Sequence, residues 1–169
     1  MSVGDGADFR AYMVARWPAL VRSLVLMGCD PGTAEDVAED ALGRCYSSWD
    51  RVRSADDVDV YVYGVLLERW EKTADRGSGN RPVASGAVVP VLGTGLSDPT
   101  PRLELLRALE AALDALPEEL RLVLVLRFVA DLDVVQVAEV LDHPVATVEA
   151  RQSEALARVD LGALWEESR

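Results

Sequence analysis

The chain has 169 residues, 50% of them apolar, which suits one ordinary domain or two small ones with a packed core. Acidic residues outnumber basic ones, 29 to 17, for a formal net charge of −12, and Lys72 is the one base that is not arginine. This balance gives little nonspecific pull toward a nucleic-acid backbone; with no apolar run near the ~18 residues that span a bilayer and no secretory pattern in Met1–Gly6, it also predicts a cytoplasmic protein without membrane insertion.

In chain order, Phe9, Tyr12, Met13, Trp17, Leu20, Val21, Leu24 and Val25 recur at three- and four-residue steps, the stripe of an amphipathic helix. Pro18 predicts a kink or a break in it. Gly28 to Gly32 reads as a turn, and Thr33 as the N-cap of a second helix, with Asp36 in the partner place of a capping box. That helix puts Ala34, Val37, Ala38, Ala41, Leu42, Cys45 and Trp49 on one face and Glu35, Asp36, Glu39 and Asp40 on the other. Cys29 and Cys45 read as small buried hydrophobes, without a disulfide or a zinc site.

A third helical stretch spans about Val58 to Thr73, with Val58, Tyr61, Val62, Val65, Leu66 and Arg69 on one face. Tyr63, Leu67 and Trp70 lie off that face, which implies either a partner surface or a wider core. Residues 74–101 lose the helical period and alternate glycine with proline, the composition of an extended linker.

From Arg102 the period returns, with Leu103, Leu106, Leu109 and Leu113 in one stripe. Pro117, Glu118 and Glu119 suit the first turn of a helix lined by Leu120, Val123, Leu124 and Phe128. After the turn Asp131–Asp133, a short helix carries Val134, Val137, Ala138 and Leu141. Asp142–Pro144 breaks the chain, with His143 a turn residue rather than a ligand, and a last helix runs from Val145 to about Val159 with Val148, Leu156 and Val159 inward. Short helix, tight turn, longer helix is the helix-turn-helix layout, in which the second helix can enter a major groove, although plain helical bundles contain such pairs too. No phosphate loop, metal cluster or nucleophile–base pair is present to support an enzyme, a cofactor or a metal.

Two motifs resemble the extracytoplasmic-function group of bacterial RNA polymerase sigma factors, close to its actinobacterial branch. One is Ala34-Glu35-Asp36-Val37-Ala38-Glu39-Asp40-Ala41-Leu42 followed by Trp49. The other runs from Ala115-Leu116-Pro117-Glu118-Glu119 to Phe128, then Val137 to Leu141, then Ala146-Thr147-Val148 and Arg151. The resemblance covers about residues 8–75 and 102–160 in matching order. It implies an all-α fold: a polymerase- and minus-ten-binding helical domain over 8–75, a flexible linker over 76–101, and a helix-turn-helix domain over 102–162 that reads the minus-thirty-five element. The implied partners are core RNA polymerase, promoter DNA and an anti-sigma protein, with no catalysis in the chain itself.

Carried over by position, Glu35, Asp36, Glu39 and Asp40 would meet arginines of a polymerase clamp; read alone, they are a solvated acidic face. Glu39 stands where the family usually has glutamine. Tyr61, Arg69, Trp70, Lys72 and Arg76 would face minus-ten DNA, Trp70 either stacking on an unpaired base or lying half-buried. The family's paired arginines are missing at Tyr63-Gly64, and Glu68 replaces an asparagine. Thr147, Arg151, Gln152 and Arg158 would contact the groove, Arg151 pairing either with guanine or with Glu154 or Asp142. Glu149 and Glu154 occupy places that are often basic. These acids leave a second reading beside the active sigma factor: a degenerate mimic that binds an anti-sigma protein or polymerase without reading promoters.

Overall fold

A computed structural model describes residues 3–76 and 109–159, and every regular element among them is helical. The first group comprises α1 (Val3–Leu26), α2 (Pro31–Ser47), the short α3 (Trp49–Val52) and α4 (Val58–Arg76). The second comprises α5, described over 109–114, then α6 (Glu118–Phe128), α7 (Val134–Leu141) and α8 (Val145–Arg158). Of the segment read as non-helical linker over 74–101, residues 74–76 instead continue α4; residues 77–101, the stripe residues Leu103 and Leu106, and the end of the chain beyond Val159 lie outside the described residues.

Pro18 neither breaks nor ends α1, which continues through it to Leu26. The carbonyl that loses its partner belongs to Val14, a residue 68% exposed, so water can satisfy it. The N-cap of α2 is Asp30, three residues before the expected Thr33: its Oδ1 accepts from the Thr33 amide at 3.1 Å, and Pro31 occupies the first turn. Hydrogen bonds from Thr33 hold the Asp30 carboxyl below the usual carboxylate range. Gly28, at φ 101°, makes the α1–α2 turn in a conformation other residues avoid.

Leu20, Leu24, Met27, Ala34, Ala38, Ala41, Val52, Val62, Tyr63 and Leu66 form the centre of the first group. Tyr63, Leu67 and Trp70, the off-face residues of α4, are all buried there, so the second face of α4 is core rather than partner surface. Tyr63 meets the buried Ser23 hydroxyl at 3.5 Å, and burial raises its phenol above the ordinary value. Asp59 of α4 accepts from Tyr12 Oη at 2.7 Å and pairs with Arg16, which fastens α1 across α4. Burial, reinforced by Asp59, raises the Tyr12 phenol far above its ordinary value, so it stays a donor at any working pH.

In the second group Val123, Val125, Leu126, Leu132, Val137, Val148 and Ala155 are the most deeply buried residues. On α8 the inward residue is Ala155, fully buried, while Leu156, expected inward, is 37% exposed. The spacing Val148, Ala155, Val159 follows the helical period, and Leu156 falls one position off it. Phe128 also turns outward, 59% exposed at the end of α6, with the Arg127 guanidinium 5.7 Å from its ring centroid. The buried residues of both groups form one continuous cluster, with α4 packed on α7 and α1 on α6.

Candidate partner and nucleic-acid interfaces

The helix-turn-helix is built by its caps. Asp133 Oδ1 accepts from the Gln136 amide at 2.8 Å, and the Gln136 side chain accepts from the Asp133 amide at 2.6 Å, a complete capping box at the start of α7. Asp142 closes α7 in the left-handed region at φ 51°, a conformation that Asp tolerates better than most residues. The His143 amide then reaches back to the Ala138 carbonyl at 2.9 Å, which satisfies a terminal carbonyl and makes His143 a turn residue as read. Val137 and Ala138 are buried beneath α8, the small Ala138 allowing close approach.

On α8, Val145, Ala146, Glu149, Ala150, Ser153 and Glu154 are exposed, while Thr147, Arg151 and Gln152 are partly covered. Arg151 NH2 lies 2.8 Å from Glu119 Oε2 of α6, not against Glu154 or Asp142. Gln152 accepts through Oε1 from Arg127 Nε at 2.8 Å, and Arg127 also donates to the Leu132 carbonyl. Arg158 pairs with Glu154 at 2.6 Å. Each of these three polar groups of the last helix is therefore engaged by another group of the same chain.

α4 repeats the pattern. Arg69 pairs with Asp40 of α2, and Lys72 pairs with Glu68 one turn back. Lys72 holds the Glu68 carboxyl below the usual range. Tyr61 is half-buried, and Trp70 is 8% exposed, so its indole lies in the core instead of facing a base. The side chain of Arg76 lies outside the described residues.

On α2, Glu35, Asp36, Glu39 and Asp40 are all exposed. Asp36, Glu39 and Asp40 share a shallow surface depression with Gly43, Arg44 and Ser47. Asp40 is shared between Arg69 and Arg44, the latter at 3.8 Å. Beneath this face, Trp49 packs edge-on against Phe9, ring centroids 5.2 Å apart, and burial pushes the Cys45 thiol up to about 11. Cys29 and Cys45 are both buried and are not joined in a disulfide. Among the described residues no helix is long and apolar enough to cross a membrane, and no group of three or more His, Cys, Asp or Glu is placed to hold a metal ion.

The partnership of Arg151 with Glu119 joins residues of different helices and left no local spacing to read. The bond from Gln136 to Asp57, 79 residues apart, was equally invisible as a pair. One signal was present: Asp133 followed three residues later by Gln136 is a capping-box pattern.

These features define a helical protein that carries a capped helix-turn-helix in its second half and an acidic helix face in its first. Residues 106–159 match the family described as Sigma-70, region 4. An RNA polymerase sigma-E factor of Streptomyces avermitilis is 33% identical over 67 residues, 40% of this chain and 37% of the relative. One from Streptomyces coelicolor is 31% identical over 65 residues, 38% of this chain and 37% of the relative. The matched segment thus spans little more than a third of the curated relatives' length. Among solved structures, the sigma factor RpoE in complex with the anti-sigma factor NepR, from Bartonella quintana, superposes with a TM-score of 0.73 at 20% identity, covering 96% of this chain and 99% of that one. CnrH in complex with the cytosolic domain of CnrY superposes with a TM-score of 0.63 at 20% identity, covering 94% and 87%. Residues 106–159 are thus similar to region 4 of the sigma-70 family, and the chain shares its overall fold with the two solved proteins.

Proposed function

We propose that the protein is a cytoplasmic RNA polymerase sigma factor of actinobacterial type, which directs promoter-specific initiation by binding core polymerase and promoter DNA. The observation that carries this reading is the capped α7–α8 pair inside the matched region-4 segment, with the Val145–Ala146 and Glu149–Ala150 edge of α8 exposed. In this reading the division is 8–75, linker 76–101 and 102–162. The exposed acids Glu35, Asp36, Glu39 and Asp40 meet basic residues of the polymerase. α4, through Tyr61, Arg69 and Lys72, meets the minus-ten element, and α8, through Thr147, Arg151, Gln152 and Arg158, meets the minus-thirty-five element. The likeness of the fold to the sigma factor RpoE, solved with the anti-sigma factor NepR, supports an anti-sigma protein as a further partner.

A specific observation favours a second reading, that of a degenerate mimic. Arg69, Lys72, Arg151 and Arg158, the described cations assigned to DNA, are each paired with a carboxylate of the same chain. Phosphates must displace those carboxylates before any counterion release favours binding. Run-off transcription with core polymerase across a promoter library separates the two. The sigma factor yields a transcript from a defined start; the mimic binds polymerase and yields none.

A further inference from the structure

The first and second groups of helices are joined by a hydrogen bond between the starts of α4 and α7. Asp57 stands immediately before α4, where its Oδ1 accepts from the amides of Asp59 at 2.9 Å and Val60 at 3.1 Å. Its other oxygen, Oδ2, accepts from Gln136 Nε2 at 2.5 Å, across 79 residues of sequence. Gln136 is the capping-box residue of α7, so the carboxylate that starts α4 and the amide that starts α7 are bonded to each other. Burial works against the charge on Asp57, yet these amide donors hold its carboxyl below the usual range. The groups also approach closely at Gly28, where an added Cβ would stand 3.1 Å from the Arg121 guanidinium of α6. Arg121 is itself held by the carbonyls of Asp114 and Leu116, both at 3.2 Å.

The position of the Asp57 contact matters because α4 is packed against its own group through Val62, Tyr63, Leu66, Leu67 and Trp70. Its remaining stripe continues from Asp57 through Tyr61 to Val65 at four-residue steps, and both Tyr61 and Val65 are half-buried. α7 is the element of the second group that packs on α4. We infer that Asp57 and Gln136 form a cap-to-cap latch that closes the helix-turn-helix onto α4 and keeps the Tyr61 stripe covered until the latch opens. The inhibitory part of this inference rests on the sigma-factor reading, in which α4 must reach promoter DNA; the latch itself does not.

The test uses the full chain. Gln136→Glu keeps the capping box, since Glu serves in that place as well as Gln, but sets two carboxylates against each other at the latch. Adding Asp57→Asn restores a donor–acceptor pair, and Asn remains a good N-cap. Dyes on Ser47→Cys and Ser153→Cys, both exposed positions on α2 and α8, report the distance between the groups by single-molecule energy transfer, while Cys29 and Cys45 stay buried. The expected result is a rise of about tenfold in the ratio of far to near molecules for Gln136→Glu, the scale of losing a hydrogen bond to a charged acceptor. Helical circular dichroism stays at the parent level, and the double variant returns the ratio to near the parent value. An unchanged ratio, or a double variant as open as the single one, overturns the latch. With core polymerase and promoter added, Gln136→Glu starts transcription faster than the parent. An opened chain that starts no faster overturns the inhibitory role, whereas failure of every variant, parent included, to start transcription overturns the sigma-factor reading and leaves the energy-transfer result standing as the test of the latch.

Discussion

The two outward helices, α2 and α8, treat charge in opposite ways. α2 exposes four carboxylates of which Asp40 alone is shared with arginines, so Glu35, Asp36 and Glu39 face solvent. α8 carries two arginines, and both are occupied, Arg151 by Glu119 and Arg158 by Glu154. The first surface is left open and the second is self-neutralised. In the sigma-factor reading proposed above, this difference places the affinity of the protein in the protein–protein contact and leaves the DNA contact to be made once polymerase has brought the two together. That reading is also compatible with a net charge of −12.

The comparison assumes that both helices sit on one shared core. Leu126→Ala, at a fully buried site of α6, is expected to destabilise the whole chain by about 2–5 kcal/mol. Thermal melting followed by far-ultraviolet dichroism and by tryptophan fluorescence checks this. Coincident, lowered transitions are predicted, because the tryptophans described in the core lie in the other group; a fluorescence transition that stays in place would separate the two groups.

On α2, Asp36→Lys with Glu39→Lys reverses the free acids without touching the buried face. A loss of about tenfold or more in affinity for core polymerase is expected, the scale of desolvated charge pairs lost at an interface. Quantitative pull-down measures it, and unchanged affinity would reduce the face to a solvated one. On α8 the corresponding change is smaller. Glu119→Gln frees Arg151 from a pair whose acid is largely exposed, and such pairs contribute about 0–1 kcal/mol. Promoter affinity of the polymerase complex should rise by no more than about fivefold, and a fall in affinity would show that Glu119 orients Arg151 for reading.

The smallest effect concerns the cap of α2. The Asp30 carboxyl is held below its usual range by Thr33, so its contribution to stability is present above the unfolded value, about 3.9, and is lost as pH falls through the lower folded value. Asp30→Asn keeps a cap without this charge. The stability difference between parent and variant should therefore shrink as pH drops below about 4, measured by denaturant titration at several pH values.

Local physics made much of this legible in advance. The apolar periods of α1, α2, α4 and α6 to α8, and the break at Asp142–Pro144, depend on neighbours within a turn, and the structure has them. Of the kink or break expected at Pro18, the break is absent, since α1 runs on to Leu26 with the exposed Val14 one turn before the proline. Thr33 misled because Asp30, ahead of Pro31, competes for the same cap and is the stronger acceptor. Leu156 was expected inward on hydrophobicity, yet it falls one position off the buried Val148–Ala155–Val159 spacing and is 37% exposed. The site was less readable than the fold. Acid exposure on α2 follows from its pattern, but the pairs Arg69–Asp40, Arg151–Glu119 and Gln152–Arg127 join separate helices and appear only once these have packed.

The division of labour is tested most directly by Arg151→Ala in run-off transcription at saturating sigma protein, with polymerase binding measured in parallel. The account predicts a drop of about tenfold in promoter-specific transcript, within the ~1–3 kcal/mol of one lost base contact, with binding to polymerase unchanged. Full transcript from the variant would contradict it, and would leave Arg151 as a strut between α8 and Glu119.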